Sequence, residues 1–533
     1  MSFNLIDEPW VPVLYARGRS SDVSLSTLFQ DATEIRRISA ELPTVSFAIL
    51  RLALAICHHA LGVHTRADVA RQLRDGIEVD KVLGYLEQYK DRFDLFHPDR
   101  PFYQVGSLHT AKGEVSGLEK LIADVPNGSP YMTMRSGEGL RTITAAEAAQ
   151  WLVHAQAFDP SGIRSGAVGD PLVKGGKGYP IGPAWAGRIG GVVLHGAHLA
   201  QTLTFNMVPV PENPLDIPVW AAPEPQTERR ELEAEPAGPL SVLTWQARRV
   251  RLEGDRDGVT GVVLAQGDQL KEQNRMPVEP MTAWRYSKPQ TAKFKLKVYM
   301  PQKHNPARAM WRGVPALLKT SSSEIDGSPA SLPPATVTSL REQSGWAGDY
   351  DLRAIIETVG MEYGPQEATV EEVVNDTLGI QLSLLSEEAA QIREMLDSCI
   401  ATADACVYAL GRMGANVAAA AGDFDGVEGA KDRAMLLAWA ELDAPARAWI
   451  SRLSSASSVP DERLAWQKLL ATTLLRLAST LSEGASTAAV VGRRAGHGFM
   501  TAALAEVYFR AALRKELPLA FPQSTEKKES PDE

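Results

Sequence analysis

Cysteine is scarce in this chain: only Cys57, Cys399 and Cys406 occur in 533 residues, and none stands in a paired CxxC spacing. Neither a disulfide framework nor a structural zinc site is indicated, and a reducing cytoplasm is the expected setting. Long hydrophobic runs are missing as well. No stretch of about 18 apolar residues occurs, and the opening MSFNLIDEPW lacks the basic and apolar regions of a secretory leader, so no membrane span or export is expected. The sequence also has no P-loop, GxSxG or HExxH, and no enzyme is expected from it.

Positive charge is in deficit overall, with a formal net charge of −10, but it is unevenly spread. Residues 241–320 carry 15 Lys and Arg against 6 Asp and Glu, a net of +9; residues 321–450 carry 7 against 22, a net of −15. One basic face for a polyanion and one acidic part facing solvent or basic proteins follow from such a split. Counterion release requires clustered cations, so an acidic chain suits a subunit whose neighbours share in nucleic-acid binding.

Glycine is concentrated at one place. Residues 161–191 hold ten glycines around Arg164, Lys174, Lys177 and Arg188, with Asp170 the one acidic residue among them. Glycine lets backbone N–H groups approach an anion, and the cations supply the field. The run Gly175-Gly176-Lys177-Gly178-Tyr179 lacks the GK[ST] ending, and Pro180 blocks a following helix. A nucleic-acid backbone is the expected anion, with a small phosphorylated ligand and an ordinary surface loop as the competing readings.

Composition allows a sizeable core and two or three domains. The pattern predicts an edge strand over 3–14, where Pro9 and Pro12 intervene, and a helix over 44–61. It predicts strands over 192–209, 245–252 and 262–265, a Pro- and Glu-rich linker over 213–239 and a loop over 321–338. Residues 293–299 alternate strictly and predict a strand with Lys293, Lys295 and Lys297 on one face, either a basic ladder or edge protection. Helices are expected over 371–395, 398–421, 429–453, 460–481 and 498–517, with Leu470, Leu474, Leu477 and Leu481 forming one stripe. The expected class is α+β: a large irregular mixed α/β domain over 1–370, a four-helix-type bundle over 371–520 and a disordered tail over 521–533.

Histidine and acidic clusters do not make convincing sites. Cys57, His58 and His59 point around a helix in different directions, with His64 just beyond it, and His195 and His198 would face opposite sides of a strand. Asp423-Phe424-Asp425-Gly426 with Glu428 lacks the full calcium-loop spacing and predicts a solvated acidic turn.

The order of several segments resembles the CasA family, the large subunits of type I-E CRISPR surveillance complexes (Cascade). Residues 3–13, FNLIDEPWVPV, are similar to the family's LIDxxWIPV signature. His97 to Gln104 resembles HPFxQ, and Glu119-Lys120-Leu121 resembles EKLL. Residues 161–166 resemble the glycine loop, Leu270-Lys271-Glu272 the LKE segment, and Tyr363 to Thr369 the YxNQAS stretch. The resemblance spans nearly the whole chain and implies a non-catalytic subunit that needs no cofactor or metal and reads the protospacer-adjacent motif of double-stranded DNA from the minor groove. By that resemblance Ser161, Gly162 and Arg164 belong to the motif-reading loop, Lys271 is the minor-groove lysine, and Gln366, Glu367 and Ala368 form the wedge that separates the first base pair. Glu367 departs from the pattern, since a carboxylate near phosphate is costly. The resemblance further implies that Thr133, Met134 and Arg135 meet the guide RNA's 5′ end and the backbone subunits. It also implies that the bundle meets the small subunit and displaced strand, and that a helicase-nuclease docks on the N-terminal domain. The Cys-rich zinc knuckle of some relatives is absent here.

Overall fold

A computed structural model describes residues 2–123, 135, 139, 141–230, 235–318, 324–343, 352–495 and 498–522. Thr133, Met134 and the tail expected to be disordered lie outside the described residues, apart from 521 and 522. The chain divides into two compact units, Met1–Leu378 and Gly379–Glu533.

The first unit opens with a three-stranded antiparallel sheet in which Val11–Tyr15 lies between Ser20–Val23 and Ile35–Ile38. The strand expected at an edge is therefore central. It tolerates Pro12 because pairing with Ile35–Ile38 begins at Val13, and the Pro12 carbonyl accepts from Ser39 N at 2.8 Å just beyond that register. Against this sheet packs the helix Pro43–Leu61, with proline in its first turn and Gly62 closing it at φ 64°. Its mean hydropathy of 1.6 and length of 19 residues would suit a membrane span, but 89% of the window is buried in the protein. Arg51 within it makes a bidentate pair with Glu279 at 3.0 and 2.8 Å, and Trp185 Nε1 donates to the same carboxylate at 2.7 Å.

Four further expectations for this unit need correction. Only Gly191–His195 is a strand in the 192–209 stretch; Leu199–Phe205 is a helix started by His198, whose ring accepts from Gln201 N at 3.3 Å. The Lys293–Tyr299 ladder does not form. Lys288–Phe294 is a helix begun by Pro289, Lys295 turns left-handed at φ 55°, and Phe294 and Leu296 stand 46% and 52% exposed, so no apolar face is covered. The described residues of 213–239 are anchored rather than forming a surface linker: Asp216 accepts from Ser241 N at 2.8 Å, Trp220 is buried, and Arg229 pairs with buried Asp170 at 2.7 Å. Within 324–338 lie the short strands Glu324–Ile325, Ser328–Pro329 and Ser331–Leu332 and the start of the helix Ala335–Gln343.

The last correction fixes where the long helices begin. Val370–Gln381, expected to be helical, is a strand hairpinned onto Arg353–Tyr363, which in turn pairs with Gly191–His195. Val370, Val373, Val374, Thr377 and Ile380 are β-branched and suit a pleated surface. The long helices of the second unit follow: Ala390–Ala421, Val427–Ile450, Val459–Glu483 and Ala502–Glu516. Leu470, Leu474 and Leu477 point inward, Trp449 stacks on Trp466 at 4.4 Å, and Trp466 Nε1 donates to Cys399 O at 2.8 Å. Asp423 Oδ1 accepts from Gly426 N at 2.9 Å, an ordinary acidic turn. Among the described residues no group of three His, Cys, Asp or Glu is arranged to hold a metal.

Candidate nucleic-acid interface

The helix Ala145–Phe158 starts at Thr144, whose hydroxyl accepts from Glu147 N at 3.1 Å, and ends at Asp159. Asp159 is buried and its Oδ2 is shared. Arg164 donates to it at 3.1 and 2.7 Å through Nε and Nη2, and Arg248 Nε donates to the same oxygen. Arg248, 1% exposed, also donates Nη2 to the carbonyls of Asp159, Pro160 and Gly182 at 3.2, 3.0 and 3.0 Å. Burial pulls its pKa below the usual guanidinium range, opposed by the Asp159 charge.

From this buried base the glycine-rich segment leaves and returns. Gln266 Nε2 ties Gly162 O at 2.8 Å and Gly178 O at 3.3 Å, so the outgoing and incoming arms are held to one side chain. Gly166 is needed because a Cβ there would run into the backbone of Gly176. Lys174 and Lys177 exchange both backbone bonds at 3.1 Å around Gly175 and Gly176, at φ 59° and 73°. That is a two-residue hairpin turn needing two left-handed residues. Since Asp170 is buried against Arg229, the exposed tip carries only the two lysines as charges.

The Tyr363–Val370 connection meets the loop directly. Ser161 N donates to Glu367 O at 2.8 Å, and Tyr363 OH donates to Phe158 O at 2.7 Å through a gap that Gly187 leaves open. Gln366 and Glu367 sit consecutively in the left-handed region at φ 59° and 56°, a conformation that costs non-glycine residues and clusters at functional sites. Gln366 is exposed, and the Glu367 carboxylate lies 3.9 Å from Lys303 Nζ, which offsets its charge locally. Ser161, Gly162, Arg164 and Ala368 line one cleft of about 190 Å³ together with Glu119 and Lys120.

Lys271 is exposed on a segment docked to the returning arm. Gln269 Nε2 donates to Ile181 O at 2.9 Å, Leu270 packs with Ala184, Trp185 and Ile189, and Glu272 pairs with Arg188 at 2.7 Å. Glu235 nearby is held below the usual carboxylate range by Arg275 and, more weakly, by Lys271. Arg135 faces inward, paired with Glu147 and, at 3.5 Å, with Glu41, its guanidinium 5.8 Å from the Trp151 ring centre.

The structure thus brings Ser161, Gly162, Arg164, Glu367 and Ala368 together and sets the Lys271 segment against the same glycine-rich excursion, with the Arg164 guanidinium spent on Asp159. Sequence reasoning missed Asp159, Arg248, Gln266 and Lys303. Arg248 had no signal beyond its share of the basic count, since its meaning depends on the returning Gly182.

The family model described as CRISPR-associated protein Cse1 matches residues 4–477. A CasA/Cse1 protein of Thermus thermophilus is 29% identical over 88% of this chain and 85% of its own length. The crystal structure of Thermobifida fusca Cse1 superposes with TM-score 0.89 at 38% identity, covering 97% of this chain and 99% of that one. A chain of a CRISPR RNA-guided surveillance complex shares the fold at TM-score 0.66 and 18% identity, covering 90% of this chain and 99% of that one.

Proposed function

The chain belongs to the CRISPR-associated Cse1 family, and we propose that it is the non-catalytic subunit of a cytoplasmic CRISPR RNA-guided surveillance complex that reads the protospacer-adjacent motif of double-stranded DNA. Ser161 and Gly162 present backbone to the motif from the minor groove. Lys271 extends a slender ammonium to the N3 and O2 acceptors that A·T pairs show there. Gln366, Glu367 and Ala368, at the tip of a strand hairpin, enter beneath the motif and offset the unstacking of the first pair, a few kcal/mol per step. Guide RNA then pairs with the target strand. Cleavage falls to a helicase-nuclease that docks on this subunit, and the helices of the second unit meet the small subunit and the displaced strand. The segment at 133–135 serves the guide RNA's 5′ end and the backbone subunits.

The observation that carries this reading is the Ser161 N to Glu367 O bond of 2.8 Å, which makes reading loop and wedge one piece. Lys303 Nζ, 3.9 Å from the Glu367 carboxylate, lessens the electrostatic cost of a carboxylate at the wedge. A small phosphorylated ligand is less well supported, because Gly175 and Gly176 are used to turn a hairpin. Lys271→Ala tests the proposal: affinity for a motif-bearing duplex is expected to fall by about 1–3 kcal/mol with guide-RNA assembly intact. Equal loss on motif-bearing and scrambled duplexes would leave only a phosphate contact, and no loss on either would leave an architectural subunit.

A further inference from the structure

Arg248 lies at the end of a strand, almost wholly buried, and touches both feet of the glycine-rich excursion. On the outgoing side its Nη2 reaches Asp159 O and Pro160 O at 3.2 and 3.0 Å; on the returning side the same nitrogen reaches Gly182 O at 3.0 Å. Its Nη1 donates to Ala247 O at 2.9 Å and its backbone N–H to Gln156 Oε1 at 2.9 Å, so the guanidinium is held by the preceding residue and its backbone by the helix that feeds the loop. Ala184 N closes the same ring onto Asp159 O at 2.9 Å. One carboxylate serves two guanidiniums here, which leaves one net positive charge in a poorly solvated place beneath the cleft.

We propose that Arg248 is the positioning residue of the reading loop: it clasps the two stems, with Asp159 as its lock and Arg164 as the second claimant of that lock, so that Ser161 and Gly162 are held in one backbone conformation and kept in register with the wedge. This rests on the reading that the loop meets a duplex. The planar fork does what an ammonium does not, since three carbonyls and a carboxylate are bonded at once from fixed directions. Tyr363, bonded to Phe158 O, carries the same alignment to the hairpin tip. Neither residue touches the cleft surface in this role, and both act through the loop.

The test uses the guide-loaded complex with Arg248→Lys, which keeps the charge and loses the fork. Hydrogen exchange at 160–166 and 178–184 is expected to quicken by about tenfold while the rest of the chain is unchanged. Affinity for the motif-bearing duplex is expected to fall about tenfold, and that for a scrambled duplex to stay within about twofold. Tyr363→Phe, which deletes one hydroxyl, is expected to repeat the pattern at about threefold and keeps the test available if Arg248→Lys does not assemble. Unchanged exchange in both arms overturns the clasp. Faster exchange with equal loss on both duplexes overturns its role in reading. If the unaltered complex itself shows no motif preference, the functional reading fails, and the exchange result still judges the clasp by itself.

Discussion

His58 and His154 lie inside the first unit, and burial pulls each down to about 4. Because the folded values fall below the unfolded one of about 6.5, the folded state binds fewer protons in between; the stabilisation is complete above that pH and is lost as pH falls toward 4. The first unit is therefore expected to lose on the order of 2–3 kcal/mol per histidine on acidification. A thermal melt of the isolated chain between neutral and mildly acidic pH reads this directly, and His58→Leu is expected to flatten the slope, since the His58 Nδ1 atom has no partner. An unchanged slope in that variant would contradict the assignment. Single residues were only partly legible in advance. Ser161, Gly162 and Ala368 line one cleft, a convergence their separate segments do not announce, and Arg164 and Arg135 turn toward Asp159 and Glu147. Nothing in the order of residues tells an arginine with a buried carboxylate waiting from one that faces solvent.

At the scale of elements, the hairpin tip proposed as the wedge stores strain. Two consecutive non-glycine residues at φ 59° and 56° cost of order 1–3 kcal/mol each, held by Gly364 N to Thr369 O at 3.0 Å and Glu367 N to Gly364 O at 2.9 Å. Gln366→Gly is expected to raise stability by about 1 kcal/mol by relieving the left-handed penalty, yet to slow opening of the duplex because the tip loses both stiffness and its amide. Calorimetry and a fluorescent base analogue at the first pair would read the two effects; a destabilised variant would show that the conformation is not strained. The four long helices and the core helix were legible because their apolar periodicity is long. The strand Val370–Gln381 and the helix Lys288–Phe294 were not. In the first, β-branched residues outweigh the flanking helix-like texture; in the second, the seven-residue alternation has no sheet to lie on, and Pro289 starts a helix instead.

At the scale of the molecule, the basic stretch over 241–320 and the acidic stretch over 321–450 belong to a chain of net charge −10. Under the proposed reading, Lys174, Lys177 and Lys271 beside the loop meet phosphate while the rest of the chain repels it, which limits binding away from a motif. The segregation was visible in the sequence; that the glycine excursion, the 269–272 segment and the hairpin tip converge was not, because it requires contacts between residues some 200 positions apart, as in Tyr363 OH to Phe158 O at |i−j| 205. The measurement that tests the central claim most directly is duplex binding by the guide-loaded complex with and without this subunit, at two salt concentrations, on targets differing only in the flanking motif. Motif discrimination that appears only when the subunit is present, with a steeper salt dependence, is the predicted result; equal discrimination in its absence would contradict it and move the reading of the motif to another subunit.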